Sequence, residues 1–403
     1  MFDDMSVYLS SGGVLKMKYN FDQVINRRGT YSTQWDYIQD RFGRSDIIPF
    51  SISDTDFPVP VGVQDALKKR IEHPIYGYTR WNHDDYKNSI VNWFKNQNDY
   101  EPNPDWILYS PSVVFTIATF MRLKSEVGDG VAVFTPMYDA FYHVIEDNDR
   151  LLMPVRLGSA QQGYQIDWDA LETVLAQHNT KILLVTNPHN PTGKVFSPAE
   201  LKRMVALCQQ YHVFIISDDI HKDIVFSTAT YTPITTYVQK NVVLCCSATK
   251  TFNTPGLIGS YLFEPDEELR SAFLVELKQK NALSSASIFG IESQIAAYNT
   301  GSDYLLQLIS YLQSNFDYLS DFLQSQLPEI SFEQPQATYL AWMDVSKLGL
   351  TSEELQNKLI NKGRVGIMPG KTYGDSQYLR MNIACPISKL QEGLKRMERG
   401  IHS

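Results

Sequence analysis

The sequence predicts an α/β protein: a large domain on a mostly parallel seven-stranded sheet sandwiched by helices, plus a smaller α+β domain. Three observations predict it. From residue 106 short apolar runs alternate with amphipathic helical segments, and apolar strands separated by helices imply a parallel sheet covered on both faces. The 403 residues are more than one core usually organises, so two domains are expected. After Ser285 the pattern turns into a long helical stretch and then mixed short elements, which reads as a separate lobe.

Residues 1–17 read as an N-terminal extension. They are acidic at the start and hold no long apolar stretch, so they are not a secretory signal, and Met17 could serve as an alternative start. Residues 18–60 look irregular and are assigned to an N-terminal arm and part of the small domain. They end in Ile52-Ser53-Asp54-Thr55-Asp56-Phe57-Pro58-Val59-Pro60, where two prolines and two aspartates mark a loop. The large domain is placed at 61–300. It opens with a helix from about Val63 to Glu72, then the aromatic turn Tyr76-Gly77-Tyr78-Thr79-Arg80-Trp81, where Trp81 reads as core. Asp84 or Asp85 can cap a helix carrying Ile90, Trp93 and Phe94.

Strands are expected at Trp106–Tyr109, Val131–Phe134, Leu151–Val155, Ile182–Thr186, Val213–Ser217, Val242–Cys246 and Gly259–Phe263. Helices are expected at 113–124, 139–147, 167–177, 198–211 and 266–281. One long helical run then passes through Ile295, Tyr304, Leu312 and Leu323 to end near Pro328. The small domain, 301–403, adds a strand around Tyr339–Asp344, a helix at 351–361, short strands at 365–368 and 378–383, and a final helix from 388.

Composition excludes several classes. The formal net charge of -9 disfavours non-specific binding to nucleic acid or acidic membranes. No apolar run approaches the length of a membrane span. Cys208, Cys245, Cys246 and Cys385 form no C-x-x-C pair, so they read as buried thiols in a reducing, cytoplasmic setting, with no zinc site.

The residues that suggest chemistry follow strands, where ligands of such sheets bind. Lys250 lies in the Ser/Thr-rich turn Ser247-Ala248-Thr249-Lys250-Thr251 after an apolar strand and is a candidate Schiff-base amine, as pyridoxal 5'-phosphate requires. The hydroxyls of Ser247 and Thr249 could bind its phosphate. Asp218, in Ser217-Asp218-Asp219-Ile220-His221, can hold a pyridine nitrogen protonated; Asp219 could instead be a helix N-cap. Asn187-Pro188-His189-Asn190-Pro191-Thr192-Gly193 forces a rigid turn that would fix the Asn190 amide. Ser112 and Val113 open a helix whose N-terminus offers free N–H groups to a phosphate, although Ser112 could be only a cap. Tyr138 could stack on a pyridine ring, and Arg380 suits a carboxylate held at two points.

In the order Tyr138, Asn190, Asp218, Lys250, Arg380 these motifs resemble the fold-type I pyridoxal-phosphate enzymes, the aspartate aminotransferase superfamily. From about Tyr19 onward the chain is most similar to the MalY/PatB family of cystathionine beta-lyases. The marks are Asp54–Pro60, Gly77–Trp81, Thr135–Tyr142, Ser217–His221, Thr338–Trp342 and Ile367–Gly370.

The resemblance implies that Lys250 bonds the cofactor, Asp218 partners the ring nitrogen, Asn190 the phenolate and Tyr138 the ring face. Ser112, Val113, Ser247 and Thr249 would surround the phosphate, and Arg380 would take the substrate carboxylate. Tyr78 would act, in catalysis as well as substrate binding, across a homodimer with shared active sites. Two departures from aminotransferases stand out. His221, counted among the cofactor-binding residues, replaces a tyrosine three residues after the aspartate, and Ile258 replaces a phosphate-binding arginine eight after the lysine. The implied activity is α,β-elimination from cystathionine or a related thioether amino acid to a thiol, pyruvate and ammonia. The alternatives are a class I/II aminotransferase, or a regulatory protein-binding role beside the lyase.

Overall fold

The computed structural model describes residues 19–403, and beyond them the antiparallel pairing of Val7–Tyr8 with Val14–Leu15. The expectations for the N-terminal extension otherwise lie outside the described residues. The central sheet is built from β1 (Ile107–Ser110), β2 (Gly130–Thr135), β3 (Leu151–Arg156), β4 (Thr180–Thr186), β5 (Phe214–Asp218), β6 (Val242–Cys246) and β7 (Ser260–Phe263). Their order is β1-β7-β6-β5-β4-β2-β3. β7 runs antiparallel to both its neighbours, while β6, β5, β4, β2 and β3 pair in parallel.

The strands form where the apolar runs are because both faces are covered. β5 and β6 are buried throughout, as a parallel strand under helices must be. β7 enters the sheet from the opposite end, so Gly259 and Ser260 lie beside the carboxyl ends of the other strands.

A second sheet joins β8 (Leu340–Asp344), β10 (Tyr378–Asn382) and β9 (Met368–Pro369) in that order, all antiparallel. Helix Ile387–Ile401 accompanies it. Ile48–Pro49 pairs in parallel with Val365–Gly366, bringing the early chain to the late chain.

Four local expectations need correction. The long helical run is two helices, Ile288–Thr300 and Ser302–Gln326, broken at Gly301. A Cβ at Gly301 would lie 2.4 Å from the Phe252 ring and 2.3 Å from the Ala297 carbonyl oxygen, so the ring's seat requires the glycine. The cap before Tyr86 is His83, not Asp84 or Asp85; its Nδ1 accepts from the Tyr86 N–H at 3.3 Å. The expected strand at 365–368 splits between two sheets. Residues 18–60 are not wholly irregular, since Ile38–Phe42 is a short helix.

Behind the end of β5 lies a buried ion pair, Lys222 with Asp223. Asp223 also accepts from Trp93 Nε1 at 2.9 Å and from Thr251 Oγ1 at 2.8 Å. It thereby ties helix Asp84–Asn98 to the loop after β6. Removing one partner of a buried pair leaves an uncompensated charge. Asp223→Ala should therefore lose about 3–5 kcal/mol of stability in urea unfolding. Lys222→Met should also destabilise, since it leaves the Asp223 carboxylate buried without its cation, but by less, because Trp93 and Thr251 still hydrogen-bond it; a Lys222→Met protein as stable as wild type would contradict this account.

Candidate active site

The carboxyl ends of the strands enclose a cavity of about 270 Å³. Lys250, Asp218, Asn190, Tyr138, Ser112, Val113, His221, Ser247 and Thr249 all line it, with Ile258 and Gly259 at β7's entry. These residues come from loops after five different strands, converging where the chain order reverses across β4 and β2.

Lys250 keeps part of its surface toward the cavity while protein encloses its ammonium. Its Nζ donates to the Ser53 carbonyl at 2.8 Å. Burial, helped by the Arg380 charge and opposed by Asp54 and Asp218, lowers its pKa to about 8. Asp218 ends β5 and is buried; burial pushes its carboxyl up to about 7. One oxygen accepts from the Ile220 N–H at 3.1 Å. Asp219 is not a helix cap: it is buried and takes hydroxyl hydrogen bonds from Ser217 and Tyr231.

Asn190 sits in the turn after β4, where its Oδ1 accepts from Arg380 Nη1 at 3.2 Å. That contact fixes the amide orientation and leaves its NH₂ to donate elsewhere. His189 beside it is buried and bonded to Thr192 Oγ1 at 2.9 Å, and burial lowers its pKa to about 3, so it is a neutral brace for the turn. Arg380, on β10, joins the site through Asn190. Its Nη2 donates to the Ser51 carbonyl at 3.0 Å, and its buried Nε has no protein partner among the described residues. His221 is buried, and its pKa falls to about 3 through desolvation and the nearby Lys250 and Arg380 charges. Its ring is neutral, and Nδ1 has no partner among the described residues.

At the far end, Ser112 caps helix Val113–Lys124 by accepting from the Phe115 N–H at 3.1 Å. In that bond its oxygen accepts, so capping is compatible with donating its proton to a phosphate. Ser247 Oγ is bonded within its own loop, to Gly259 O and to Thr249 Oγ1, both at 2.8 Å. Because Ser247 gives its one proton to Gly259 O, Thr249 Oγ1 is the donor in their contact, so both hydroxyls are engaged within the loop.

Tyr78 is fully exposed in the single chain and lies outside this cavity. Sequence reasoning missed Ser51 and Ser53, which act through carbonyl oxygens and leave no side-chain signature. It also missed Tyr339, whose hydroxyl donates to the same Ser53 carbonyl at 2.9 Å.

These residues fit pyridoxal 5'-phosphate on the chemistry of the donor set. A helix N-terminus and hydroxyls, a buried acid and a lysine of lowered pKa share one cavity. An aromatic wall, Tyr138, completes the cavity.

Known proteins resemble this chain. The aminotransferase class I and II family model matches residues 45–397. Protein MalY of Escherichia coli is 40% identical, covering 96% of this chain and 99% of its own length. The chain belongs to the aminotransferase class I and II family, in the branch of MalY and PatB. Cystathionine beta-lyase PatB of Bacillus subtilis is 34% identical over 95% of this chain and all of its own. The PLP-bound C-S lyase of Staphylococcus hominis superposes with a TM-score of 0.89 at 27% identity, covering 96% of this chain and 99% of that one.

The lowered pKa of Lys250 makes a pH prediction. A lysine with a depressed pKa gains its reactive free amine as pH rises through the folded-state value, here about 8 instead of the ordinary 10.5. Colour development on adding pyridoxal phosphate to cofactor-free protein should therefore accelerate with pH and level off just above 8. A midpoint near that of free lysine would show that the amine is not shielded as described.

Proposed function

We infer that this protein is a pyridoxal-phosphate-dependent carbon–sulfur β-lyase. It converts cystathionine, or a related thioether amino acid, and water into a thiol, pyruvate and ammonia. The observation that carries the reading is the joint placement of Lys250, Asp218 and Asn190 around one cavity, with Arg380 bonded to Asn190. Relatives named for this activity support it.

When bound, the cofactor supplies an electrophilic carbon for the substrate amine and an electron sink for the charge left on Cα. The chain's own residues do the rest. Lys250, with its pKa near 8, holds the cofactor, gives way to the substrate amine and then takes the α-proton as general base. Asp218 partners the ring nitrogen. Burial makes its carboxylate a strong proton acceptor, and the oxygen not bonded to Ile220 is available for this contact. Asn190 couples the two halves of recognition: its oxygen holds Arg380 while its NH₂ serves the phenolate. Arg380 takes the substrate carboxylate with its unpaired Nε and one remaining guanidinium edge. Ser112 and Val113 serve the phosphate, with Ser247 and Thr249 holding the loop that carries Lys250. His221, being neutral, adds no charge to this cationic pocket.

A lyase must let the thiolate leave before the cofactor is reprotonated. Tyr138 gives the thioether arm an aromatic wall, against which sulfur packs favourably. Cystathionine should yield pyruvate and thiol at a steady rate with no keto acid added. Turnover that stops after one equivalent and resumes only with 2-oxoglutarate or pyruvate would make the protein an aminotransferase.

The working form in this reading is a cytoplasmic homodimer. The buried free thiols Cys208, Cys245, Cys246 and Cys385 support a reducing compartment. No helix among the described residues is long and apolar enough to cross a membrane. Ile71, Ile75, Tyr76 and Tyr78 are exposed close together in sequence, and Tyr76 meets Phe289 at 5.6 Å between ring centres. Exposed apolar residues grouped this way favour an interface, and Tyr78 would cross it to the neighbouring site. Mixing Tyr78→Phe with Lys250→Ala subunits should then restore activity above either parent, since one site in each hybrid is intact. No gain despite proven subunit exchange would keep Tyr78 out of the partner's site.

A further inference from the structure

Arg380 is a buried cation held, among the described residues, by uncharged groups. Two of its nitrogens reach the Asn190 side-chain oxygen and the Ser51 carbonyl. Its guanidinium carbon lies 4.1 Å from the centre of the Tyr373 ring. A carboxylate in that place would neutralise the guanidinium and compete with a substrate carboxylate. An aromatic face attracts the cation without doing either.

Tyr373 is itself fixed from several sides. It is buried at the end of the turn Gly370–Tyr373. Its ring meets Trp342 edge-on at 5.9 Å, and Trp342 stacks on Tyr378 at 4.8 Å. Its carbonyl accepts from the Met137 N–H at 2.9 Å and from the Tyr142 hydroxyl at 3.3 Å. The close approach of Tyr142 requires Gly374, whose added Cβ would lie 2.3 Å from that hydroxyl. Tyr373 therefore touches both sides of the site: its ring carries Arg380, and its main chain carries the segment that presents Tyr138.

We propose that Tyr373 is a positioning residue for substrate-carboxylate recognition: its ring is the neutral floor that keeps Arg380 aimed and uncompensated. This rests on the reading of Arg380 as the carboxylate binder. The ring face, not the hydroxyl, does the work, so Tyr373→Phe preserves it while Tyr373→Leu and Tyr373→Met remove it.

The test is calorimetric titration of the cofactor-loaded protein with L-alanine, which has no β-leaving group, and with L-alaninamide, which lacks the carboxylate. In the leucine and methionine variants the Kd for L-alanine should rise about tenfold, while that for L-alaninamide stays within about twofold of wild type. Tyr373→Phe should leave both near wild type, and it remains informative if a larger change prevents folding: a phenylalanine variant that loses alanine selectivity overturns the ring-face argument. Equal weakening of both ligands in the leucine and methionine variants would reduce Tyr373 to a packing role. Undiminished selectivity in them would overturn the proposal while leaving Arg380's role standing. A wild-type protein with no preference for alanine over its amide would remove that role, and this inference with it.

Discussion

The site depends on a stretch with no regular structure, Ser51 to Phe57. Backbone carbonyls removed from water must find donors, and here no sheet or helix supplies them. Side chains from across the molecule do so. The Ser51 carbonyl takes Arg380, and the Ser53 carbonyl takes Lys250 and Tyr339. Asn382 bridges the carbonyls of Ile52 and Asp54 at 2.5 and 2.6 Å. Asn253, three residues after Lys250, donates to Thr55 and Phe57 and accepts from the Thr55 N–H. One extended segment thus sets the spacing between the lysine and the arginine. Moving it would displace both.

The same segment carries charges that pair outward, although Asp54 also acts on Lys250 from there. On its outer side Asp54 and Asp56 meet Arg27, and Asp56 also meets Lys389 and Trp35 Nε1. Those charges are paired. On its inner side Lys250 and Arg380 are held by neutral oxygens, and Asp218 is the acid facing them in the cavity. Unpaired cations are costly to bury, and the cost appears as the lowered pKa of Lys250. It is offset when anionic groups arrive, so the folded chain holds in reserve an affinity for phosphate and carboxylate.

Much of this was legible in the sequence, for a physical reason. Lys250, Asp218, Asn190, Tyr138 and Ser112 follow apolar strands, and a parallel sheet gathers such positions at one edge. What escaped notice acts mostly through the backbone or over long range. The carbonyls of Ser51 and Ser53 have no side-chain pattern to betray them. Tyr373 stands only seven positions before Arg380 (380 − 373), but a buried tyrosine in a turn carries no pattern that marks a cation contact. The break at Gly301 answers to a ring, Phe252, that lies 49 positions earlier (301 − 252). Ser247 and Thr249 were grouped with the phosphate ligands by their type, yet their hydroxyls are engaged inside their own loop. Tyr78 was chosen by resemblance, and one chain alone leaves it in solvent.

The charge of the whole chain sharpens this picture. At a formal -9 the surface repels anions in general, so the local field in the cavity opposes the global one. An amino-acid substrate is a zwitterion and carries little net charge through that outer field. In the proposed reaction its carboxylate would meet Arg380 inside, while its amine must shed a proton to react. A cavity that already lowers the pKa of one amine, that of Lys250, lowers that of another by the same desolvation. The feature that makes the lysine a usable nucleophile and base therefore also prepares the substrate's nitrogen, and both follow from excluding water behind the Ser51–Phe57 segment.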